Sequence, residues 1–438
     1  MGVKKLATER FDAIIVGAGP AGSAAAYTMA KAGLNVVLIE RGEFPGAKNI
    51  FGGVLYRKQL EDIIPEFWKE APLERRVVEQ RLWLLGEDSA VTMGHRNEAF
   101  KEPTNSWTGL RVKFDQWFAS KAEQAGSLNI NETVVTDLIL EGNRVVGVRT
   151  DREDGDLYAN VVVVADGVNS LLGKKLGVHH EWQPDQVSLA VKEVIALPKE
   201  KIMDRFNLEG DEGVTTEFIG QLGGMAGLGF MYTNQETISF GVGVMVSDLK
   251  RTKIRPYDLI ENVKKHPAIR KMLQGGETKE YSAHLIPEGG YHAIPPLSGN
   301  GWIICGDAAQ LINFVHREGT NLAMTSGRFA AEAIIDAHAK GDFSKDSLVG
   351  YDRRVRESFI HKDLKKYQGL HGLLNEIDPK LFDRLPEAMN NAAYQMLLID
   401  GISKAEKQKA AIRGVREAVG GTANLLKLGL KGWRAMNG

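Results

Sequence analysis

The sequence of 438 residues is poorest in cysteine, and Cys305 is its single thiol. One cysteine excludes a disulfide within the chain and is typical of a reducing compartment. It also excludes an iron–sulfur cluster or zinc site that takes several thiolates from this chain, so we predict no metal site. Because Cys305 lies in the apolar stretch IIC, we interpret it as a small buried residue rather than a redox group.

Charge imbalance and long apolar runs are also missing. Lys and Arg number 55 and Asp and Glu 56, so the net charge of −1 gives no reason to expect nucleic acid as a partner. No run of about 18 consecutive apolar residues occurs, so no transmembrane helix is predicted. The start, MGVKKLATER, lacks the apolar segment of a signal peptide. We therefore expect a cytoplasmic protein, and the length allows two or three domains or one large composite fold.

The most informative segment is FDAIIVGAGPAGSAAAYTMAKAGLNVVLIER, residues 11–41. An apolar strand leads to Gly17, Gly19 and Gly22, whose G-x-G-x-x-G spacing opens an Ala-rich helix, and a second strand ends at Glu40. Gly17 suits a tight turn, Gly19 the close approach of a pyrophosphate, and Gly22 close packing of helix on strand. Strand, glycines, helix, strand and acid in this order predict a dinucleotide-binding site.

The acid at the end of the second strand narrows the choice of dinucleotide. Glu40 lies 18 residues after Gly22, near the separation expected of an acid that binds ribose hydroxyls. A carboxylate there would repel a 2′-phosphate, which disfavours NADP. No second G-x-G-x-x-G follows a strand, so we expect no separate nicotinamide domain. The reducing electrons would then come from a protein or a transient donor.

Two further apolar stretches end in an acid. VVVVADGVNS, residues 161–170, reaches Asp166-Gly167, and GWIICGDAA, residues 301–309, reaches Gly306-Asp307. Each acid can be a ligand contact at the carboxyl edge of a sheet or a simple helix cap. With these three stretches the chain resembles FAD-dependent monooxygenase-like flavoproteins of the glutathione-reductase fold. The resemblance implies an α/β protein with a Rossmann-type FAD-binding domain, an inserted mixed-sheet substrate or quinone domain and a C-terminal helical region.

The resemblance also implies contacts to FAD. The glycine motif would bind the ADP half, Asp307 the ribityl and pyrophosphate region, and the helix opened by Gly319 the flavin ring. Arg111, in LRVKFDQWFASKAEQAG, resembles an arginine that precedes a helix in that family. The residues expected to bind FAD are Gly17, Ala18, Gly19, Pro20, Ala21, Gly22, Glu40, Arg41, Lys48, Asn49, Arg111, Val135, Asp166, Gly167, Asp307, Gly319, Thr320 and Asn321.

Three stretches resemble one branch of these flavoproteins, the FixC-type relatives of electron-transfer-flavoprotein:quinone oxidoreductases. They are RGEFPGAKNIFGGVLY (41–56), HLIPEGGYHAIPPLSGNGW (284–302) and VHREGTNLAMTSG (315–327). The resemblance implies electron transfer from an electron-transfer flavoprotein of FixA/FixB type to quinone, as the downhill branch of an electron-bifurcating complex. Since the larger oxidoreductases carry a [4Fe–4S] cluster and this chain has one cysteine, we expect a small ferredoxin-like partner of FixX type.

Two alternatives stay open. A geranylgeranyl reductase would carry Tyr-x-Trp-x-Phe-Pro on a substrate-domain strand, whereas LGFMYTNQETISFGVGV (228–244), interpreted as that strand, has no Trp and no Phe-Pro. A non-enzymatic module that docks an electron-transfer flavoprotein would not need the FAD motifs.

The expected domains are discontinuous. We predict an FAD domain from 1–75, 105–180 and 285–345, a substrate or quinone domain from 76–104 and 181–284 with one helix over 257–273, and a helical region over 346–438. An apolar quinone cavity could use Trp83, Trp107, Phe230, Met231 and Tyr232, or these could be core residues. Candidates for proton delivery to quinone are His316, Glu318 and Tyr232.

The C-terminal segment differs in charge from the rest. Residues 404–438 hold eight Lys or Arg against two Glu, a local net charge of +6. At 100° per residue, the apolar residues of 422–436 share a broad face and the basic ones lie opposite, as in an interfacial membrane helix. Four glycines in 420–432 weaken that helix. We hold two interpretations: peripheral contact with the inner face of the cell membrane, or packing on a partner subunit.

Overall fold

The computed structural model describes residues 10–48 and 53–437. The strands are β1 (Arg10–Val16), β2 (Val36–Ile39), β3 (Val54–Tyr56), β4 (Leu73–Leu85), β5 (Ala90–Arg96), β6 (Ser106–Gly109), β7 (Leu128–Ile130), β8 (Val135–Glu141), β9 (Arg144–Thr150), β10 (Leu157–Val164), β11 (Val187–Ala196), β12 (Glu212–Ile219), β13 (Gly227–Thr233), β14 (Thr237–Met245), β15 (Glu277–Pro287), β16 (Ser298–Gly299) and β17 (Trp302–Ile304).

The α-helices follow the same numbering by chain order. They are α1 (Pro20–Lys31), α2 (Arg57–Glu61), α3 (Arg111–Gln124), α4 (Leu171–Lys175), α5 (Lys199–Phe206), α6 (Val246–Thr252), α7 (Pro256–Lys264), α8 (Pro267–Leu273), α9 (Thr320–Lys340), α10 (Lys345–Glu357), α11 (Phe359–Lys366), α12 (Leu370–Glu376), α13 (Leu381–Leu397), α14 (Lys404–Ala418) and α15 (Thr422–Asn437).

The chain divides into two compact units. The first is built from Met1–Leu73, Gly109–Trp182 and Pro287–Lys365, and the second from Glu74–Thr108, Gln183–Ile286 and Lys366–Gly438. The three-domain division expected from the sequence stays a prediction.

A parallel sheet in the order β17, β10, β1, β2, β7 forms the centre of the first unit. Its strands are continuously apolar because both faces are covered, and the four valines 161–164 are fully buried. Val16 pairs with Val164 and with Ile39, and Val164 pairs with Ile304. The carboxyl ends of four strands therefore lie level, and the residues that follow them share one edge.

Two helices pack closely beside this sheet, because glycines remove side chains at the contacts. A Cβ at Gly22 of α1 would overlap the carbonyl oxygen of Gly17, and a Cβ at Gly327 of α9 would overlap that of Ala21. The first contact was predicted from the glycine motif. The second was not, since Gly327 lies in a helix with no recognised motif.

The second unit is a mixed sheet in the order β15, β11, β14, β13, β12, β4, β6, with β5 paired to β4. Its core lies on one face, where Phe218, Met231 and Phe240 pack with residues of the helices, such as Ile260 and Ile269. Side chains alternate between the two faces along each strand. The residues between these core positions therefore belong to the opposite face.

Two local predictions in this unit are wrong. The helix predicted over 257–273 is two helices, α7 and α8, because Pro267 has no N–H and restricts the preceding residue. His266 is extended (φ −55°, ψ 132°), and its side chain accepts a hydrogen bond from the amide of Ala268. The stretch 228–244 is a hairpin of β13 and β14, closed where Asn234 N–H donates to the Thr237 carbonyl at 2.8 Å.

Candidate functional site

The glycine turn between β1 and α1 has the geometry expected of a phosphate-binding turn. Gly17 has φ +103°, and a Cβ there would overlap the carbonyl oxygen of Ala165, so only glycine fits. A Cβ at Gly19 would meet no atom within 4 Å, so there is open space beside the backbone at this position. Gly19 is also the N-cap of α1 and has no side chain to cap the first amides of the helix. The turn thus combines room with the positive end of a helix.

Both carboxylate oxygens of Glu40 accept backbone hydrogen bonds. One accepts from Ala18 N–H at 3.0 Å and the other from Gly42 N–H at 2.8 Å. Glu40 therefore holds the glycine turn in place, a role that sequence reasoning missed. Since a carboxylate offers about four acceptor positions, it can still accept from a ribose hydroxyl.

The segment after β7 lies alongside the Glu40 loop. Thr133 N–H donates to the Glu40 carbonyl at 3.0 Å, and Glu132 N–H donates to the Gly42 carbonyl at 2.9 Å. Val135 follows as the first residue of β8 and pairs with Thr150. Val135 thus follows a segment that is hydrogen-bonded to the Glu40 loop.

Three further loop residues expected to bind FAD are exposed or lie outside the described residues. Arg41 and Lys48 are both exposed. Arg41 lies close enough to Asp166 for its charge to act on that carboxyl. Asn49 lies outside the described residues.

Asp166 follows β10 and is partly a helix cap. Its Oδ2 accepts from the amide of Leu172 in α4 at 3.0 Å, so the capping interpretation is correct for that oxygen. Its Oδ1 is buried and has no hydrogen-bond partner within 10–48 and 53–437. Burial raises the pKa of Asp166 to about 6, against hydrogen bonds from nearby amides and the charge of Arg41. A buried acceptor without a donor is costly, so a ligand hydroxyl at this position would be favourable. Gly167, at φ +75°, completes the turn.

Arg111 links α3 to the Asp307 turn. Its Nε and Nη2 donate to the two oxygens of Asp115 at 2.7 Å each, and both residues are buried. Burial acts to lower the pKa of Arg111, but the charge of Asp115, its hydrogen bonds and the charge of Asp307 outweigh it and raise the pKa. Burial raises the pKa of Asp307, and the charge of Arg111 opposes that shift. Sequence reasoning missed Asp115, although its i,i+4 spacing from Arg111 was a usable signal.

The turn after β17 carries Cys305, Gly306 and Asp307. Gly306 has φ +64°, and its amide donates to the Ser326 hydroxyl of α9 at 3.0 Å. Cys305 is fully buried, and burial together with the charge of Asp166 raises its thiol pKa to about 12. The interpretation of Cys305 as a buried residue is confirmed. A thiol with that pKa is protonated at neutral pH and does not attack or bind metal.

A closed loop precedes α9. Asn313 and Glu318 exchange two backbone hydrogen bonds, of 2.9 and 3.0 Å, and Arg317 adopts φ +57° at the tip. His316 is exposed, and its amide donates to the Asn313 side chain at 3.2 Å. Glu318 is half-buried. Burial raises its pKa, His316 lowers it and the charge of Asp363 raises it further. The loop therefore presents a histidine and a carboxyl directly before the helix.

The first turn of α9 faces the Gly306 turn. Gly319 is its N-cap and lacks a side chain, and Thr320 is its first residue. Asn321 is 3% exposed, and its Oδ1 has no hydrogen-bond partner in the described part of the chain. A Cβ on Gly306 would lie 3.6 Å from Ala323 Cβ, so this turn of α9 and the Asp307 turn are neighbours. Free helix amides and an unpaired amide oxygen meet at this point.

The aromatic residues proposed for a quinone cavity do not share one face. Trp83 and Met231 pack in the core of the second unit. Phe230 and Tyr232 lie on the opposite face of β13 and stack, with ring centroids 5.0 Å apart and planes at 26°. Trp107 is buried on β6 outside that core. Trp83 and Met231 are therefore core residues, and the five do not form one ligand wall.

The helix α15 has an exposed apolar face. The side chains of Leu426, Leu430 and Trp433 are 63%, 59% and 67% exposed. The other side of the helix packs on α12, where Ala435 is buried against Gly369 and Lys431 pairs with Glu376. No helix in residues 10–48 and 53–437 is long and apolar enough to cross a bilayer.

The residues of the first unit fit FAD. Open space at Gly19 suits a pyrophosphate, and the unpaired oxygens of Asp166 and Asn321 suit a ligand rich in hydroxyl and N–H groups. Residues 12–187 match the family model described as FAD dependent oxidoreductase. The chain is therefore an FAD-dependent oxidoreductase of α/β fold. A bound flavin would supply the redox chemistry, and the protein would position it.

The matches to known proteins narrow the class. Residues 359–437 match the ETF-QO/FixC family C-terminal domain. The chain is 51% identical to the protein FixC of Bradyrhizobium diazoefficiens over 92% of this chain and 94% of that protein, and 46% identical to FixC of Azotobacter vinelandii over 98% and 99%. It is 41% identical, over 98% of this chain and all of the relative, to the probable electron transfer flavoprotein-quinone oxidoreductase YdiS of Escherichia coli. The chain belongs to the FixC family of electron-transferring flavoprotein oxidoreductases.

Solved structures share the fold at low identity. A geranylgeranyl bacteriochlorophyll reductase-like protein of Thermoplasma acidophilum gives a TM-score of 0.72 at 21% identity, covering 96% of this chain and 99% of that chain. The flavin-dependent brominase Bmp2 gives 0.66 at 20% identity, covering 97% and 99%. These likenesses confirm the predicted fold class and carry no information on substrate.

Proposed function

We propose that this protein transfers electrons from an electron-transfer flavoprotein, through FAD, to a membrane quinone. The observation that supports the proposal is full-length similarity of 41–51% to FixC proteins and to a probable electron transfer flavoprotein-quinone oxidoreductase. The donor is a pair of subunits of FixA/FixB type. Their NADH-derived electrons divide, and the chain carries the downhill branch of this bifurcation.

The FAD contacts in this proposal follow the edge of the first sheet. The ADP half lies on the turn Gly17–Gly22, with Glu40 on the ribose hydroxyls. Asp307, positioned by Arg111, holds the ribityl and pyrophosphate region, and Asp166 offers its unpaired oxygen to a ligand hydroxyl. The residues 319–321 at the start of α9 hold the ring edge. These groups bind, orient and neutralise charge.

The proposal includes three candidate proton donors to the quinone: His316, Glu318 and Tyr232. His316 and Glu318 stand beside the start of α9, and the charge of His316 acts to lower the pKa of Glu318 against the effect of burial. His316 is exposed and Glu318 is half-buried, so both have access to solvent protons. Tyr232 lies on β13 beside Phe230.

The iron–sulfur cluster belongs to a separate small ferredoxin-like subunit of FixX type. The support is chemical: a [4Fe–4S] cluster normally takes four thiolates, and this chain has one, buried and protonated. The test is quinone reduction by the purified flavin-loaded chain with reduced electron-transfer flavoprotein, with and without the small subunit. We expect the full rate only with it. A full rate without it would overturn this part of the proposal.

Access to the quinone involves a membrane surface, and we propose that α15 lies on it. Its exposed leucines and Trp433 suit the interface, and Lys427 and Arg434 suit anionic headgroups. Deleting residues 422–438 should abolish flotation with liposomes that contain anionic lipid. Lys409→Gln on α14 serves as a control for general loss of charge. Unchanged flotation after the deletion would contradict membrane contact through α15.

Reduction of prenyl double bonds is the competing function, and it is tested with the same flavin-loaded chain. The flavin-loaded chain is supplied with a geranylgeranyl lipid and a strong reductant, and the product is examined for lost double bonds. We expect no saturated product. Its formation, without quinone reduction in the first assay, would replace the quinone proposal.

A further inference from the structure

The helical hairpin of α13 and α14 ends in a turn that exposes apolar side chains. α13 ends at Leu397 and α14 begins at Lys404. Leu397, Ile399 and Ile402 are 80%, 82% and 54% exposed, and the first two are the most exposed large apolar residues in the described part of the chain. We call residues 397–402 the apolar turn. Single exposed leucines are ordinary, whereas a cluster of them marks a contact with a membrane or another molecule.

Carbonyl groups at the C-terminal end of α13 are paired within the hairpin. The ammonium group of Lys407 donates to the Leu398 carbonyl at 2.5 Å and pairs with Asp400 at 2.6 Å, and its side chain is buried. The ammonium group of Lys404 donates to the carbonyls of Met396 and Leu398. A helix otherwise leaves its last carbonyls to water. A segment that leaves water needs its backbone groups paired inside the protein, and these carbonyls meet that condition.

The helix that leads away from the apolar turn is basic. α14 holds five Lys or Arg against two Glu, a local net charge of +3, and four of the five basic residues are exposed. Basic side chains beside an exposed apolar segment fit the anionic headgroups that cover the acyl chains of a bilayer. Tyr394, exposed three residues before Leu397, adds an aromatic residue typical of the membrane interface.

A protein partner fits the apolar turn less well than a bilayer does. A specific protein interface of standard size covers about 800 Å² on each partner. The apolar turn is the projecting end of a hairpin with three large exposed side chains, and α14 beyond it carries charge. The centres of protein interfaces are depleted in charged residues. A bilayer needs no matching surface, so it is the occupant that these features favour.

We infer that the apolar turn inserts Leu397, Ile399 and Ile402 into the acyl region of an anionic bilayer. The inference rests on the proposed function, in which α15 brings the protein to the membrane surface. Three side chains bury too little apolar area to anchor the protein alone, since even one whole acyl chain gives only weak, reversible binding. The apolar turn therefore adds depth and affinity to a contact that α15 begins.

The depth of insertion is measured with a nitroxide spin label on Ile399→Cys in the flavin-loaded chain. The native Cys305 is fully buried, so the label reacts with the introduced thiol. Power-saturation EPR compares access of the label to molecular oxygen, which concentrates among acyl chains, with access to a water-soluble nickel chelate. On vesicles of equal parts phosphatidylcholine and phosphatidylglycerol, we expect access to oxygen to rise and access to the chelate to fall. The same label on Leu140→Cys, at an exposed leucine of β8 in the first unit, should show neither change.

The contribution to affinity is measured by sedimentation with the same vesicles. The double variant Leu397→Ser/Ile399→Ser should bind about tenfold more weakly, because two apolar side chains no longer leave water on binding. The conservative variant Ile399→Leu should bind like the unaltered protein. Leu140→Ser, which removes an exposed leucine from the first unit, should leave the affinity unchanged. Circular dichroism should show that all of these variants fold, since the altered side chains are exposed.

Each outcome decides between the inference and its alternatives. If the unaltered protein binds vesicles while the label at residue 399 keeps its access to the chelate, the inference is overturned and membrane contact through α15 stands. If the unaltered protein binds no vesicles, that contact fails, and the inference fails with it. If electron-transfer flavoprotein or the small ferredoxin-like subunit shields the label and vesicles do not, the apolar turn is a protein docking site and the inference is overturned. If the double serine variant unfolds, the label at residue 399 still decides.

Discussion

The edge of the first sheet and the face of the second sheet opposite its core both carry polar groups, but they are built differently. At the first edge the groups follow strand ends, and the proposed FAD contacts use glycine turns and helix amides as well as side chains. On that face of the second sheet, the buried residues Lys192 and Glu217 lie in the middle of β11 and β12 and come level only through pairing between strands. Substitutions at the first edge should therefore act through the shape of the backbone, and substitutions in the second unit through the loss of charge.

The largest expected effect is steric, at the glycine turn. Gly22→Ala places a Cβ on the Gly17 carbonyl, so we expect loss of FAD and of soluble protein. Gly19→Ala has free space and φ −76°, so the fold should persist while FAD affinity falls at least tenfold, because the methyl group occupies the pyrophosphate position. For both variants, flavin absorbance measures bound FAD and circular dichroism measures whether the fold persists. Normal FAD binding by Gly19→Ala would contradict the pyrophosphate assignment.

The next largest effect is expected on stability, when the buried Arg111–Asp115 pair of the first unit is broken. The exposed Arg255–Asp258 pair of the second unit serves as the comparison. Arg111→Met leaves Asp115 buried without its partner and should cost about 3–5 kcal/mol of unfolding free energy. Arg255→Met should leave the free energy of unfolding nearly unchanged, since both partners are exposed to solvent. Urea unfolding measures the free energy of unfolding of each variant. Equal losses would show that burial does not separate the two pairs.

A third contrast concerns whether the stability of the flavin-free protein rises or falls with pH. The raised pKa of Asp166 means that the folded state holds a proton that the unfolded state releases, so its contribution to stability falls by about 3 kcal/mol from pH 4 to above pH 6. Asp166→Asn removes this fall. The difference between the two unfolding curves isolates Asp166 from other carboxyls, and a difference that does not change with pH would contradict the raised pKa.

In the second unit, the contribution of Glu212 to stability should depend on pH in the direction opposite to that of Asp166. Burial acts to raise its pKa, but hydrogen bonds and ion pairs with Lys101 and Arg96 outweigh burial and lower it. Its contribution is present above the ordinary glutamate range and is lost as pH falls through the folded pKa. Glu212→Gln should therefore narrow the loss of stability on acidification. A variant that loses as much stability in acid as the unaltered protein would remove Glu212 from this account.

The smallest effect is expected at Cys305. Cys305→Ala removes one buried sulfur atom and should cost about 1–2 kcal/mol through the cavity it leaves. FAD content and electron transfer should stay unchanged, as measured by flavin absorbance and quinone reduction. Loss of electron transfer with FAD retained would mean that the thiol has a redox role.

The motifs at the edge of the first sheet were visible in the sequence, whereas the buried charges of the second sheet were not, for a physical reason. Gly17, Glu40 and Asp166 stand at strand ends, where local spacing alone sets their positions. Lys192 and Glu217 come level with each other across the sheet only through pairing between strands, which a linear sequence does not display. The same limit explains why Trp83 and Phe230 were grouped together although they belong to opposite faces. Proline chemistry, by contrast, was readable at Pro267 and was overlooked.

In the proposed function, electrons pass from an electron-transfer flavoprotein to the flavin of this chain and on to quinone. Stopped-flow absorbance tests it most directly, by mixing the flavin-loaded chain and its iron–sulfur partner first with reduced electron-transfer flavoprotein and then with decylubiquinone. We expect the flavin absorbance of the chain to fall in the first mixing and to return in the second. A flavin that the electron-transfer flavoprotein does not reduce, or that decylubiquinone does not reoxidise, would contradict the claim.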